Sequence, residues 1–424
     1  DETLERLRLF CRTHDGFLLA EEDLRRRGPG DVLGVRQHGA PSFRLANPLR
    51  DGDLVAFNRQ PSLHKESIMA HRVRIVPRST FGMNLSATGP YNADFDGDEM
   101  QIHVPQSEPA KAELQVLMDV GQCLISPQNN KPAMGLVQDS LLTARLLTMR
   151  DTFLERHQAM QMLMYATISF GNDAQRGLAL PVPCIVRPKA LWSGKQLLSL
   201  LLPADFQHGP SANNSRPDGE PADAILSPSD SRVLIRDGQL LCGTLDKKFL
   251  GAVHGSIVHV LANDYGPQVA RVFLEEAQGI MQHYMTGVRS FSVGIADCTI
   301  APETKRKVRE VVRRTQRDVD ALVDDYYQNR IEPLPLMSVD ETFEAKMNRV
   351  LNGARDEAGR VVSRSLDGNV NNLKLMVSAG SKGGEVNIAQ IAGIVGQQNL
   401  NGQRIPTVFK GGRAMPHGRK HDLA

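Results

Sequence analysis

The pattern of apolar positions divides the chain into a β-rich first part and a helical remainder. Short runs of strand-forming residues predict β-strands at 54–57, 73–76 and 101–104. Gly, Pro and Asn residues interrupt these runs, which indicates a compact barrel-like unit rather than a regular βαβ array. Helices are predicted over 107–120 and 132–150. The β-rich part and the helical remainder together predict an α+β fold.

Apolar residues recur at helical spacing in three later segments. The spacing predicts helices over 269–284, over 302–326, where Pro302 occupies a favoured helix start, and over 341–362. The first two, joined by residues 287–301, are predicted to form a helical hairpin. Periodicity alone is equally consistent with two core helices of a bundle.

Composition adds few constraints. Residues 207–232 are rich in Pro, Ser, Asn, Asp and Gly, which predicts a surface insertion or disordered loop. The longest uncharged run, 386–403, contains Asn, Gln and Gly, so no stretch of about 20 apolar residues predicts a membrane span.

The five cysteines are widely spaced without a CxxC pair, which is typical of reduced thiols in an intracellular protein. The net charge of +2 does not by itself indicate a partner.

The most specific chemical feature is an acidic loop that contains Asp94, Asp96 and Asp98, followed by Glu99. No lysine or arginine lies between Arg78 and Lys111 in the sequence. Two carboxylates about 4 Å apart repel by about 4 kcal/mol at an effective dielectric constant of about 20. Because the local sequence supplies no positive side chain, convergence of the three predicts a bound metal ion.

Spacing along the chain restricts the shape of this loop. In a straight strand, alternate aspartates lie about 6.6 Å apart, too far to share a Mg²⁺ ion at about 2.1 Å per oxygen. In a helix, Asp96 points away from Asp94 and Asp98. A tight turn brings all three together, and Gly97 permits it. Carboxylate ligands favour Mg²⁺ or Mn²⁺ over zinc, and such ions support nucleotidyl transfer.

Other acidic motifs fit less well. A calcium-binding EF-hand loop beginning at Asp94 requires Gly and Glu where the chain has Glu99 and Pro105. A phosphatase-type aspartate nucleophile follows an apolar strand, but residues 86–91 are not one. A solvated acidic turn without a ligand remains the simplest alternative.

A basic segment precedes the acidic loop. Residues 57–78 contain five basic side chains, Arg59, Lys65, Arg72, Arg74 and Arg78, against one acidic side chain, Glu66. Arginine forks and lysine ammonium groups bind phosphate oxygens. A basic run alone is a weak signal, but its position before a metal-binding loop favours a site for nucleotides.

Both segments resemble the largest subunit of multisubunit DNA-dependent RNA polymerases. The matching stretches are FNRQPSLHKESIMAHRVRI and NLSATGPYNADFDGDEMQIHVPQ, which includes that family's metal-binding signature NADFDGD. Further matches, among them ISPQNNKPAMGLVQDSLL and AGSKGG, extend the resemblance over about residues 31–412. The sequence of these stretches most resembles that of RNA polymerase II and its relatives in large DNA viruses.

The resemblance implies roles for particular residues. Asp94, Asp96 and Asp98 would hold a tightly bound Mg²⁺ ion, and a second Mg²⁺ would arrive with the nucleoside triphosphate. Arg59 and Asn92 would lie near the ribose of the nucleotide. Pro61 would lie near the base-pairing plane, and Lys382 near the triphosphate. His64 and His71 would have supporting roles.

The resemblance also implies an architecture and partners. The regions are a lead-in segment at 1–30, a double-psi β-barrel active-site region at 31–150, a pore region at 151–262, a funnel hairpin at 263–338 and the start of a cleft region at 339–424. The expected partners are the second-largest subunit, other polymerase subunits, DNA template, RNA transcript and nucleoside triphosphates, with no membrane. The expected location is the nucleus, or a viral factory or virion.

The family continues into a bridge helix and trigger loop, which this sequence does not reach. We therefore expect a separately encoded portion or one piece of a larger subunit, active only when assembled. Two alternatives remain open. One is a non-catalytic scaffold within a polymerase assembly. The other is a two-barrel RNA-dependent RNA polymerase, which also uses an aspartate-rich loop.

Overall fold

A computed structural model describes residues 49–166, 180–209, 227, 229–406, 408–411 and 413–418. The predicted lead-in segment, residues 1–30, lies outside them. Over the described residues the chain combines helices with small antiparallel sheets, which is compatible with the predicted α+β class. The chain divides into two compact units, residues 1–83 with 97–119, and residues 84–96 with 120–424.

The described part of the first unit is built on a three-stranded antiparallel sheet. Its strands are β1 (Leu54–Asn58), β2 (Ile68–Arg72) and β3 (Gln101–His103), in the order β2–β1–β3. The register places Ala56 opposite both Ala70 and His103. The two alanines are buried beneath the helix that follows β3, and this small apolar cluster fixes β1 in the middle of the sheet.

Helices account for most of the remaining regular structure. Within the described residues they are α1 (Thr88–Tyr91), α2 (Glu108–Leu117), α3 (Gln138–Thr148), α4 (Arg156–Leu163), α5 (Gly194–Ser199), α6 (Lys247–Leu250), α7 (Ile257–Val260), α8 (Pro267–His283), α9 (Pro302–Tyr327), α10 (Val339–Ser365), α11 (Asn372–Ala379) and α12 (Glu385–Ile388). The remaining strands form two-stranded antiparallel sheets: β4 (Ile125–Ser126) with β5 (Lys131–Pro132), β6 (Phe153–Glu155) with β7 (Leu191–Ser193), β8 (Leu234–Arg236) with β9 (Gln239–Cys242), and β10 (Asn399–Leu400) with β11 (Gln403–Arg404).

The three long helices lie where their apolar periodicity predicts, but the first two do not pair mainly with each other. α8 packs against α3, whereas α9 packs along α10. The α9–α10 contact is apolar at its centre, with Val308 and Val311 packed near Ala354 and Ala358. The hairpin in this region is therefore α9 with α10, one helix later than predicted.

Two predicted elements differ from the structure. No strand covers residues 73–76; the strand ends at Arg72, and Ile75 is exposed. The helix predicted from residue 132 begins at Gln138, because the preceding segment is extended and packs closely on another part of the backbone. A Cβ on Gly135 would lie 2.5 Å from the Gly251 carbonyl carbon, a distance that a side chain cannot occupy.

Most of the predicted surface insertion lies outside the described residues. Its C-terminal end is nevertheless well anchored. Asp230 is buried, accepts a hydrogen bond from the Gly243 backbone N–H at 2.7 Å and forms an ion pair with Lys195. A buried carboxylate held by two donors belongs to the packed structure, so this end of the segment is not a flexible loop.

Candidate metal centre

The backbone before the acidic loop is fixed by the end of α1. Asn92 adopts the left-handed conformation, with φ of 48° and ψ of 41°. Its N–H donates to the Gly89 carbonyl at 3.0 Å, and the Ala93 N–H donates to the Thr88 carbonyl at 3.0 Å. These bonds form a Schellman motif, in which Asn is one of the residues that tolerates the left-handed position. The motif ends the helix and turns the chain into the loop.

The backbone after the loop is fixed by the sheet. Gly97 has a φ of 126°, a conformation that favours glycine, and a Cβ there would meet no atom within 4 Å. Glycine is therefore favoured at position 97 because of its backbone conformation and not because a side chain lacks space. The chain then enters β3, where Gln101 lies opposite Asn58. The Asn58 side-chain amide donates to the Gln101 Oε1 atom at 3.3 Å.

Asp94, Asp96 and Asp98 converge on one side of this loop. Each offers a carboxylate oxygen, and the three oxygens lie within 4.8 Å of one another. All three residues are exposed as whole residues, but the Asp98 side chain taken alone is only 20% exposed. Within the described residues this is the one group of three or more His, Cys, Asp and Glu side chains with metal-binding geometry. The tight turn expected from the spacing is present.

The donor set fits a hard divalent cation. Oxygen ligands of a six-coordinate Mg²⁺ ion lie about 2.1 Å from the metal, so pairs of them are separated by about 3 to 4.2 Å. An upper limit of 4.8 Å is close to this span, and small side-chain movements would close the difference. Three carboxylates with no nitrogen or sulfur ligand favour Mg²⁺ or Mn²⁺ over zinc.

A positive side chain does reach the loop, contrary to the expectation that none is available. The Arg59 Nε atom donates to the Asp98 Oδ2 atom at 2.7 Å, and both side chains are only about one-fifth exposed, at 19% and 20%. Arg59 follows β1, and the register of β1 with β3 carries it to the loop. The two residues are 39 positions apart, so neighbouring sequence could not show this pair. The Arg59–Asp98 pair could have been found from the sequence only by predicting that β1 pairs with β3.

The other predicted site residues are exposed. Pro61 lies in the turn after β1, and Lys382 lies in the connection between α11 and α12. No hydrogen bond or ion pair of Pro61 or Lys382 is seen in the part of the chain that the structure describes. The structure therefore brings Arg59 to the aspartates. The predicted contacts of all four residues with a nucleotide remain predictions; the four are Arg59, Asn92, Pro61 and Lys382.

The two histidines of the basic segment have local partners. The His64 Nδ1 atom lies 3.1 Å from the Glu66 Oε2 atom. Burial lowers the pKa of His71 to about 4, against a smaller opposing effect of Asp119, so the ring is neutral near pH 7. His71 also packs edge-on against Phe57, with ring centroids 5.6 Å apart. The His71–Phe57 contact joins β2 to β1, and the supporting roles predicted for the two histidines stay predictions.

Among the described helices, none has the length and apolar character needed to cross a lipid bilayer.

Sequence models of one family match three consecutive stretches of the chain. RNA polymerase Rpb1 domain 2 matches residues 32–120, domain 3 matches 123–298 and domain 4 matches 323–424. The domains follow in numerical order and together cover most of the chain, and the acidic loop falls within the first of them. The chain therefore belongs to the family of largest subunits of multisubunit DNA-directed RNA polymerases. This confirms the resemblance in the sequence.

Proposed function

We propose that this chain supplies the catalytic metal site for DNA-directed RNA synthesis within an assembled polymerase. The observation that carries the proposal is the convergence of Asp94, Asp96 and Asp98 to within 4.8 Å on one tight loop. Membership of the polymerase family supports the same role. In the proposed double-psi barrel, the described sheet would be the part that holds the loop in place.

The reaction is transfer of a nucleotidyl group. The 3′-hydroxyl oxygen of RNA forms a bond to the α-phosphorus of a nucleoside triphosphate. The bond from the α-phosphorus to the oxygen that bridges the α- and β-phosphates breaks. Pyrophosphate leaves, and the hydroxyl proton passes to solvent. Bound Mg²⁺, one ion held by the triad and one arriving with the triphosphate, would favour the ionised hydroxyl and neutralise charge on the phosphates.

This chain's own residues would contribute positioning and charge. The three aspartates would fix the site at which the hydroxyl and α-phosphate meet. Arg59, held at the loop by Asp98, and Asn92, held by the Schellman motif, would lie near the ribose, where the 2′-hydroxyl distinguishes RNA precursors from DNA precursors. In the same proposal Pro61 lies near the base-pairing plane and Lys382 near the triphosphate.

The most direct test is an Asp96→Ala variant in the assembled polymerase. We expect nucleotide addition to fall by about a hundredfold to a thousandfold, because the change removes one of three charges that hold the metal. Assembly should persist, because Asp96 is exposed and removal of its side chain leaves no cavity. Primer extension measures the activity, and co-purification of subunits measures assembly.

Glu99→Ala is the matched control, since it removes the same charge at an exposed position just after the triad. It should retain most of the activity. RNA synthesis at the normal rate by the Asp96→Ala enzyme would support the alternative of a non-catalytic scaffold.

A further inference from the structure

A basic groove lies along the N-terminal half of α9, in a region to which the proposed catalytic role assigns nothing. Its volume is about 510 Å³, within the range of about 300 to 1,000 Å³ that is common for small-ligand sites. Lys305, Arg309 and Arg313 line it, at a spacing of four residues that places them on one face of the helix. No acidic residue is among the described residues that line the groove.

The three basic side chains differ from other cations on the same helix. Lys307 pairs with Glu303 at 3.2 Å, and Arg314 pairs with Glu357 on α10. The three groove cations have no ion pair within the described residues, and all three are exposed. Three like charges in a row on one helix face repel one another. The groove thus concentrates positive charge that the described parts of the chain do not neutralise.

The floor of the groove has a different character. Val308, Val312 and Ile394 line it, and they continue into the apolar core between α9, α10 and the segment after α12. A ligand that fits would therefore carry several negative charges and also present an apolar group. Phosphate oxygens suit arginine and lysine donors, and a nucleobase suits an aliphatic floor.

We propose that this groove is an accessory binding site for a nucleoside triphosphate, held through its phosphates by Lys305, Arg309 and Arg313. The choice of a nucleoside triphosphate as the ligand rests on the proposed function, since a nucleotidyl transferase uses nucleoside triphosphates. The groove itself is separate from the acidic loop and needs no divalent ion. Its occupancy can therefore be measured when catalysis is absent.

The test is equilibrium binding of ATP to the chain in EDTA, with Asp94, Asp96 and Asp98 all changed to Asn to remove the metal site. In that background, Arg309→Gln with Arg313→Gln should weaken ATP binding by at least tenfold. The matched control, Arg306→Gln with Arg317→Gln, removes the same charge from positions on α9 that do not line the groove, and should change binding by less than twofold. Lys305→Gln alone provides a second groove variant.

Competition experiments identify the chemistry of the ligand. Inorganic tripolyphosphate should displace ATP, because the phosphates provide most of the contacts, and higher salt should weaken both ligands. Unchanged ATP binding by the groove variants, or equal weakening by the control, would overturn the proposal. Displacement of ATP by a single-stranded oligonucleotide or a polyglutamate peptide at lower concentrations than tripolyphosphate would also overturn it, in favour of a macromolecular partner. A failure of the Asp96→Ala prediction leaves these measurements unaffected, so the two proposals fail separately.

Discussion

At the scale of single residues, the Arg59–Asp98 pair changes the electrostatics expected of the loop. The sequence around the triad contains no basic residue, and a metal ion is then the obvious source of positive charge. The folded chain places one guanidinium against one of the three carboxylates at 2.7 Å. Arg59 therefore has two effects: it orients Asp98, and it lowers the negative potential that attracts a cation.

We predict that Arg59→Ala tightens binding of a divalent ion to the loop. Removing a positive charge next to the triad leaves a more negative site, and after allowance for solvent screening the change is on the order of 1 kcal/mol. This corresponds to about a fivefold lower dissociation constant for Mn²⁺, measured by electron paramagnetic resonance of free Mn²⁺ in titrations of the chain.

The control for this prediction is Arg59→Lys, which keeps the charge and should leave Mn²⁺ affinity nearly unchanged. If Arg59→Ala weakened Mn²⁺ binding instead, orientation of Asp98 by the guanidinium would matter more than its charge. The two effects have opposite signs in this experiment, so the direction alone separates them.

At the scale of elements, the sequence predicts long helices well and their partners poorly. α8, α9 and α10 lie where apolar residues recur every three or four positions, because each helix must bury one face. That pattern does not specify which surface covers the face. α9 packs on α10 and α8 packs on α3, so the pairing depends on information that the apolar periodicity does not contain.

The acidic loop shows the same division between local and distant information. The turn at Gly97 and the convergence of the aspartates follow from spacing within five residues, and the structure has both. Arg59 reaches Asp98 through the β1–β3 register, which no local pattern encodes. The alternating apolar residues at 73–76 predict a strand, yet Ile75 and Val76 are exposed in the described structure.

Two glycines of α10 allow a test of helix packing on one element. A Cβ added at Gly353 would meet no atom within 4 Å, whereas a Cβ added at Gly359 would lie 2.9 Å from the Ala389 Cβ atom. Alanine improves helix propensity by about 1 kcal/mol at either site. We therefore expect Gly353→Ala to raise the free energy of unfolding by about 0.5 to 1 kcal/mol.

Gly359→Ala should lower the free energy of unfolding, because a shift of the segment after α12 costs about 1 to 3 kcal/mol and exceeds the gain in propensity. Denaturant unfolding of the two variants, compared with the original chain, gives both values. Equal stabilisation by both substitutions would mean that α10 and the segment after α12 do not pack at the distance described.

At the scale of the whole molecule, apolar side chains are exposed in the segments proposed to meet a nucleotide. Leu63, in the turn after β1, is 81% exposed, and Phe95, between two aspartates of the acidic loop, is 67% exposed. Asp94 and Asp96 are exposed as well, and the Asp98 side chain is one-fifth exposed. Charged groups open to water stabilise a transition state weakly, because the high dielectric constant screens them. Partner subunits and nucleic acid that cover the loop would therefore be part of the catalytic site.

The last prediction follows from that exposure. The isolated chain should bind Mn²⁺ but should not extend an RNA primer, whereas the complex with the second-largest subunit and the other polymerase subunits should extend it on a DNA template. Primer extension with DNA and RNA templates, for the chain alone and for the purified complex, measures both states. The Asp96→Ala complex serves as the inactive control. Extension by the isolated chain on an RNA template would contradict the prediction and support the single-chain, two-barrel mode of synthesis, since the exposed loop would then be sufficient without partners.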